Sequence, residues 1–475
     1  MSFRGLSQKL LLLFSRAIPN NLRSKTGSIL KWIVICCIIR LILMPLFSHS
    51  DLGTTLWVSF TLINKNQLIL SNDPPAIFFI LSGFYRLMLP FFSQSFLSFI
   101  TSRTSFTPAT MLPVSALIQP GINTVLLIAK LPFLFLDIAS AFIMLHLFNA
   151  GSKGFTAFKM WLLNPISIFV SYVFGQYDIF AVFFILLALL LLRKKRFGWS
   201  MLALGIAGAF KVIGIALMPL IVIYYFKNHK SENHWSGIVK LVKVVLPGLL
   251  PLLLLSIIYS GVSPYYDSVN YALPRGELFN GFFGDKFFTR GTAVQPLFSG
   301  ILTFLTDFSI SFSTFLSTGT VYLVPLSYVL VLLGIYYTRS LSLEKMCGYF
   351  TIFLLSYYAF SLFLPQWFLW IQPFLIFLAV ENPKVFYKLF LLLIPLYFLY
   401  IWQWDSGLTT NLLAPITSEA LFWPGPLTTM NLAGLPATQI VGILRTIFSA
   451  ICIFMAFMIT RISLRTEKKD DRIIY

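Results

Sequence analysis

Charged residues are scarce in this chain, at 11% of 475 residues, where an ordinary soluble domain has about 25%. That shortage excludes a soluble enzyme, a disordered chain and a nucleic-acid-binding protein. Hydrophobic residues make up 58% and mean hydropathy is +0.84, and apolar runs of about 18 to 25 residues, the length that spans a bilayer as a helix, recur from end to end. The sequence therefore predicts an all-α fold, a polytopic transmembrane helical bundle.

Cysteine is also scarce, with four residues in the whole chain. All of them lie in or at apolar runs, and none falls in a candidate external loop. The sequence therefore favours neither a disulfide framework nor a metal site of cysteines, and indicates small packing residues. The four are Cys36, Cys37, Cys347 and Cys452.

Acidic residues are outnumbered by basic ones, 16 to 35, which gives a formal net charge of +19. The basic residues flank apolar runs, as in 193–196, 227–243 and 461–472. Because Lys and Arg are retained on the cytoplasmic side of membrane proteins, these clusters orient the chain rather than bind a polyanion. They predict a multi-pass protein of the cell membrane with both termini in the cytoplasm.

The organisation predicted is one integral-membrane domain over 1–475, with eleven to thirteen membrane segments. Residues 1–28 form a cytoplasmic interfacial segment rather than a removed signal peptide, and 461–475 form a cytoplasmic basic tail. The predicted spans are about 29–47, 122–148, 156–173, 178–193, 199–225, 238–259, 318–337, 346–364, 367–381, 386–403 and 437–460.

Two apolar stretches do not fit one simple crossing each. Met201–Phe226 has basic clusters on both sides, which favours a broken or re-entrant pair that pivots near Lys211–Gly214. Pro75–Ile100 is interrupted by Arg86 and Pro90 and is predicted to form interfacial helices on the outer face.

Three long stretches are predicted to be extracytoplasmic: 49–120, the first loop, then 260–317 and 403–436. Loops longer than about 12–15 residues tend to be functional. A channel or scaffold has no need of them, so the chemistry is expected on the outer face.

Asp51 follows the first span directly, and His49 lies beside it. A carboxylate at the outer mouth of an apolar cavity is suited to accept a proton from a substrate hydroxyl. Partial desolvation is expected to raise its pKa and improve it as a general base. The alternative is an ordinary aspartate that caps the helix that follows.

Asp137 lies inside an apolar helix, and Lys130 is seven residues earlier on the same face. An intramembrane carboxylate costs a few kcal/mol, so it needs a partner or a polar cavity. That partner is either Lys130 or a group on another helix, and both structural and substrate-binding roles stay open.

Further polar residues lie near span ends. Gln176 and Asp178 belong to a Gly-Gln-Tyr-Asp turn, whose alternative role is a helix cap. Lys211 and, in the second outer loop, Arg290 are candidates to hold phosphate, although a solvated and mutually paired loop explains Arg290 as well.

Pro365–Pro373 forms a predicted outer turn that combines Trp367 and Trp370 with Gln366 and Gln372. Tryptophan is ordinary at a membrane interface. Amides among aromatic rings also fit carbohydrate, which stacks on rings and bonds to amides.

Taken in order, these motifs resemble polyprenyl-phosphate-dependent glycosyltransferases of the C superfamily, particularly bacterial mannosyltransferase-like members. They resemble the first mannosyltransferase of GPI assembly more distantly. The resemblance covers roughly 29–380, and its most specific block is 123–220. The matching motifs are Asp51, Asp73-Pro74-Pro75, Lys130–Asp137, Leu163–Asp178, Phe210-Lys211 and Pro365–Pro373.

The resemblance implies an inverting transferase that moves a hexose, most plausibly mannose, from a polyprenyl-phosphate donor to a lipid or glycan acceptor outside the cytoplasm. Asp51 would be the general base. No metal ligands are indicated and no cofactor is certain, while a divalent metal stays open. The predicted substrate-binding residues are His49, Lys130, Asp137, Gln176, Asp178, Lys211, Arg290, Gln366 and Trp370.

Two other functions share some of these features. A secondary transporter or lipid flippase would also use intramembrane Asp137 and Lys211 with a broken helix, but no internal repeat is visible and the outer loops are long. A polymerase or ligase of lipid-linked glycans would differ mainly in its donor.

Overall fold

A computed structural model describes most of the chain. The described residues are 18–69, 76–102, 118–148, 151–229, 234–260, 263–265, 309–313, 318–361 and 363–471. The predicted Asp73-Pro74-Pro75 motif, most of the 260–317 loop, residues 1–17 and the last four residues lie outside them.

The described chain is mainly α-helical, which confirms the predicted fold class. The helices are α1 (Thr26–Leu43), α2 (Ser50–Lys65), α3 (Ala76–Met88), α4 (Gln94–Ser102), α5 (Ile122–His146), α6 (Gly151–Leu162), α7 (Pro165–Ile168), α8 (Ile179–Arg193), α9 (Phe197–Phe210), α10 (Ile213–Asn228), α11 (His234–Ser260), α12 (Leu323–Tyr337), α13 (Leu343–Phe360), α14 (Gln372–Glu381), α15 (Pro383–Ile401), α16 (Pro426–Leu432) and α17 (Ala437–Asp471).

Shorter elements connect these helices. The 3-10 turns are Asn20–Lys25, Leu89–Phe91, Pro365–Leu369, Trp402–Leu408, Thr410–Leu413 and Ser418–Phe422, and a π-turn covers Phe169–Phe174. Two strand pairs, which the sequence did not predict, add to the helices. β1 (Gln67–Ile69) pairs in parallel with β2 (Ser263–Tyr265), and β3 (Ser309–Ser313) pairs antiparallel with β4 (Thr318–Tyr322).

The long apolar helices make this a multi-pass membrane protein. Among the described residues, six helical segments are long and apolar enough to cross a bilayer, and five further apolar helices are shorter. The number of crossings and the side on which each terminus lies stay predictions. The six long segments are Asn20–Leu43, Ile122–His146, Gly151–Phe174, Trp235–Leu255, Pro383–Leu408 and Ala437–Ile462.

The predicted break within Met201–Phe226 is confirmed. α9 ends at Phe210, Lys211 is extended with φ −149° and ψ 140°, and α10 begins at Ile213. The two helices then pack closely, because a Cβ on Gly214 would lie only 2.3 Å from the amide nitrogen of Gly208. Lys211 is the C-cap of α9, and its amide still donates to the Ala207 carbonyl oxygen at 2.9 Å.

The stretch 75–100 is also divided, into α3 and α4, by a 3-10 turn that contains Pro90. Proline lacks the amide hydrogen that an α-helix would need there. α3 packs against α2, the helix whose first turn contains Asp51.

The four cysteines are free thiols, and all but Cys37 are buried. Their predicted role as packing residues is confirmed.

Candidate functional site

Asp51 lies in the first turn of α2, where the positive end of the helix dipole favours a carboxylate. His49, and not Asp51, caps this helix, because the His49 Nδ1 accepts the Asp51 amide hydrogen at 3.2 Å. The His49 ring is held in turn by edge contact with Phe174, at 4.8 Å between ring centroids. The Asp51 carboxylate is therefore free of the capping role that was its alternative.

Gln176 approaches Asp51 from a different part of the chain. Its Nε2 donates to the Asp51 Oδ2 at 2.7 Å. The turn that carries it requires Gly175, which has φ +83°, and a Cβ there would press on Leu52 and Lys130 at 3.1 and 3.3 Å. The predicted Gly-Gln turn thus fixes one carboxylate oxygen of Asp51.

The Asp51 side chain is half exposed, and its pKa is lowered. Desolvation pushes the pKa of the carboxyl upward, but the His49 ring at 3.3 Å, the Gln176 hydrogen bond and the charge of Lys211 together outweigh it. The prediction of a raised pKa is therefore wrong. The carboxylate is ionised throughout the neutral range.

Lys211 lies near Asp51 and Gln176. Its Nζ contacts the Tyr177 hydroxyl at 3.2 Å and lies 4.4 Å from the centre of the Tyr177 ring. The side chain is buried, and its charge acts on Asp51. A cation and a carboxylate thus occur in one site, on either side of the turn 175–178.

Lys130 is fully buried and does not pair with Asp137. Its Nζ donates to the carbonyl oxygens of Met44 at 3.0 Å and Tyr172 at 2.8 Å, and also to that of Phe47. Lys130 thereby ties the end of the first span to the segment before Gln176. Its predicted contact with substrate stays a prediction.

Asp137 has its partner on another helix. Its Oδ2 accepts from Arg40 Nε at 2.7 Å and from the Tyr172 hydroxyl at 2.8 Å, and its Oδ1 accepts from Trp161 Nε1 at 2.7 Å and Ser167 at 3.3 Å. Arg40 and Asp137 have no exposed side-chain surface. This arrangement serves packing of the helices, and a role for Asp137 in binding substrate stays a prediction.

The 3-10 turn at Pro365–Leu369, predicted to be an outer turn, contacts the same region. Trp370 Nε1 donates to Asp178 Oδ1 at 2.7 Å, and the Trp367 and Trp370 rings stack at 5.3 Å. Gln366 is buried, and its Oε1 has no hydrogen-bond partner among the described residues.

The predicted residues therefore form three groups. His49, Asp51, Gln176 and Lys211 meet at one site, and Asp178 with Trp370 adjoins it through the turn 175–178. Lys130 and Asp137 lie in the interior behind it. Arg290 is outside the described residues. The sequence missed Arg40, although a single arginine inside an apolar run is itself a signal.

Two further features bear on ligands. An apolar cavity of about 330 Å³ lies beside the Asp51 segment. Among the described residues, no three His, Cys, Asp or Glu side chains come together as metal ligands would, and a divalent metal stays an open alternative. The cavity lining includes Phe47, Phe169, Val173, Phe398, Trp402 and Leu412.

The fold and site thus define a polytopic helical membrane protein with a carboxylate and a cation at one end of the bundle. Comparison with known families gives one match: residues 89–272, less than half of the chain, match the family of the GPI transamidase subunit PIG-U. The match contains the block 123–220 on which the resemblance to GPI-assembly and polyprenyl-phosphate enzymes is most specific.

Comparison with solved structures gives a weaker similarity, to ArnT from Cupriavidus metallidurans bound to undecaprenyl phosphate. It has 14% identity and a TM-score of 0.39, and covers 92% of this chain and 78% of ArnT. At this score the similarity does not assign a function. No curated protein matches the chain.

Proposed function

We propose that the chain is an inverting glycosyltransferase that moves a hexose from a polyprenyl-phosphate donor to a hydroxyl of a lipid or glycan acceptor. The observation that carries the proposal is the Asp51 carboxylate, which is ionised, held through Oδ2 by Gln176 and half exposed. Mannose as the sugar and the extracytoplasmic face as the location follow from the resemblance and from the distribution of basic residues.

The geometry suits a base that acts as the new bond forms. Gln176 donates to Asp51 Oδ2, and the other oxygen, Oδ1, which lies 3.3 Å from His49 Nδ1, is the one that would take the proton of the acceptor hydroxyl. The oxygen of the acceptor hydroxyl attacks the anomeric carbon. As it does so, the hydroxyl proton becomes acidic and passes to Asp51, while the bond from the anomeric carbon to the phosphate oxygen breaks. The phosphate leaves with the bonding electrons, and the anomeric centre inverts. Lys211 is the nearby cation that can offset the charge of the leaving phosphate.

The apolar cavity supports a lipid-linked donor. Phe47 in its wall lies four residues before Asp51, and the Ser48 amide donates at 3.1 Å to the carbonyl oxygen of Leu412, which also lines the cavity. An isoprenoid chain placed there would remove apolar surface from water at about 25 cal/mol per Å². It would keep the phosphate near the Asp51 segment.

A second function is favoured by the family match. A protein similar to a GPI transamidase subunit could bind a lipid-linked glycan at the same site, within an assembly, without transferring sugar. The transporter alternative would move such a substrate instead of modifying it.

The test uses purified full-length protein in proteoliposomes with a panel of polyprenyl-phosphate sugars. Asp51→Asn should lower transfer at least about 100-fold, the low end of what general-base catalysis contributes. Glu419→Gln is the control, because Glu419 is an exposed carboxylate of the 403–436 stretch and should leave transfer unchanged.

The outcomes separate the three functions. Transfer by Asp51→Asn at the rate of the unmodified protein would remove the assignment of the base. Binding of the lipid-linked sugar with no product from any donor would favour the subunit function. Uptake of substrate without a covalent product would favour the transporter.

A further inference from the structure

Arg445 is a cation within the apolar helix α17, at a position that neither the predicted site nor the proposed function uses. Its guanidinium lies 5.2, 5.1 and 5.7 Å from the ring centres of Phe363, Tyr400 and Phe448. Nη2 donates to the carbonyl oxygens of Tyr358, at 2.8 Å, and Ser361. Rings and backbone dipoles therefore hold the group in place.

The other terminal nitrogen of this guanidinium, Nη1, lacks a hydrogen-bond acceptor among the described residues. This nitrogen is buried, and no described Asp or Glu forms an ion pair with Arg445. A buried donor without an acceptor costs about 1–3 kcal/mol, and more when it is charged. A positive charge at membrane depth adds to that cost.

Two neutral polar groups lie near this guanidinium. The hydroxyl of Ser361, whose carbonyl accepts from Arg445, is buried and has no hydrogen-bond partner among the described residues. Gln403 Nε2 is also buried, and the Gln403 side chain interacts with the hydroxyl of Tyr400, the residue whose ring faces the guanidinium. Arg445 and Gln403 thus both adjoin Tyr400, and Ser361 adjoins Arg445.

Hydrogen-bond donors of this kind are suited to bind an anionic oxygen group. Arginine binds phosphate and carboxylate through paired N–H groups, and hydroxyl and amide donors complete such a shell. The outer surface of α17 beside this cluster is apolar, because Ile443 is 60% and Ile447 is 43% exposed. An amphiphile could therefore bring a phosphate to the cluster from the bilayer.

We propose that Arg445, Ser361 and Gln403 form an anion site that takes a phosphate group, separate from the site at Asp51. The described contacts of Arg445 are to residues 358, 361, 363, 400 and 448. Those of the Asp51 side chain are to residues 49 and 176, with the charge of Lys211 acting on it, so the two sites share no contact residue. The shared chemistry is a phosphate oxygen, whether it comes from a phospholipid head group or from free phosphate.

The experiment measures the thermal stability of the full chain with two probes. In nanodiscs, phosphatidylglycerol is compared with phosphatidylcholine at increasing mole fraction; in detergent without lipid, inorganic phosphate is titrated against chloride at equal ionic strength. The expected result is saturable stabilisation by phosphatidylglycerol, by inorganic phosphate, or by both. Stabilisation by phosphatidylglycerol alone would identify the lipid as the source, and stabilisation in the detergent titration would show that the phosphate group suffices.

Two variants test the residues. Arg445→Gln removes the charge, and its half-saturating concentration should rise at least tenfold. Gln403→Glu supplies an internal carboxylate at nearly constant volume, so the protein should stay folded, gain stability without the probe and lose the response. Arg461→Gln, an exposed arginine further along the same helix, is the matched control and should respond normally.

Two results would overturn the proposal. One is the absence of a saturable response to either probe in the unmodified protein, which would leave water as the partner of these donors. The other is a response that Arg445→Gln and Gln403→Glu both retain.

Discussion

The buried ion pair between Arg40 and Asp137 allows a sharp test of what holds the helices together. Both side chains are fully buried, and their nitrogen and oxygen lie 2.7 Å apart. Both Asp137 oxygens accept two side-chain hydrogen bonds each. In either orientation Asp137→Asn would turn an amide NH₂ group toward a group that can only donate, Arg40 Nε or Trp161 Nε1. It would also leave the Arg40 charge without its counter-ion.

The expected loss follows from burial. Removing one member of a buried pair costs about 3–5 kcal/mol, because the remaining charge is uncompensated. Arg40→Met should cost a similar amount. The double variant Arg40→Met with Asp137→Leu should lose about 2 kcal/mol less than the sum of the losses of Arg40→Met alone and Asp137→Leu alone, since neither charge is then left unpaired.

The chain offers a matched control in Lys153 and Glu381. Their ion pair is just as short, at 2.6 Å, but the side chains are 41% and 25% exposed. Water screens such a pair, and Glu381→Gln should cost only about 0–1 kcal/mol. The two pairs therefore differ mainly in burial.

The measurement is equilibrium unfolding in mixed micelles, followed by far-ultraviolet circular dichroism, with free energies of unfolding compared at one detergent composition. A loss for Asp137→Asn that is no larger than that for Glu381→Gln would refute the reasoning. So would strict additivity in the double variant.

Two further predictions concern the site and the broken helix. Gln176→Leu removes a hydrogen bond that helps to lower the Asp51 pKa. The acid limb of transfer, which lies below the ordinary aspartate value of about 3.9, should therefore move to higher pH, and an unmoved pH–rate profile would contradict this. Gly214→Ala places a Cβ 2.3 Å from the backbone of Gly208 and should lower the free energy of unfolding by about 1–3 kcal/mol in the same assay. The control is Gly442→Ala, which should be nearly neutral because a Cβ there has nothing within 4 Å. Equal losses for the two variants would count against close packing at Gly214.

The sequence predicted the features that depend on local pattern. Basic clusters on both sides of 201–226 indicated a break, and the helices do separate at Lys211. The turn before Pro373 and the turn at Gly175 were recognised from proline and glycine. These residues act on the backbone nearest to them, so one sequence suffices to find them.

Contacts between side chains that are far apart in the sequence could not be predicted from local pattern. The seven-residue spacing of Lys130 and Asp137 put both on one face, but helical side chains lean toward the N-terminus. Lys130 therefore reaches the carbonyls near Phe47, about 10 Å along the helix from Asp137. Arg40 is 97 positions from Asp137 in sequence, and no periodicity connects them.

The prediction of a raised pKa for Asp51 was wrong for a related reason. The apolar span that ends just before Asp51 is visible in the sequence, and it led to the expectation of desolvation. The groups that lower the pKa are His49, which caps the helix, and Gln176 and Lys211, which arrive from more than 120 residues away. Desolvation can be judged from neighbours in sequence, whereas stabilisation of a charge needs neighbours in space.

Four cationic side chains inside the bundle differ in how many hydrogen-bond acceptors the described residues supply to them. Arg40 has a carboxylate, Lys130 has three carbonyl oxygens, and Lys211 has a tyrosine hydroxyl with a carboxylate nearby. Arg445 has two carbonyl oxygens and keeps a buried nitrogen without an acceptor among the described residues. Since burying a charge is costly unless its hydrogen bonds are made, the missing acceptor at Arg445 points to a group beyond the described residues. In the proposed anion site that group is a phosphate oxygen, which can be tested independently of sugar transfer.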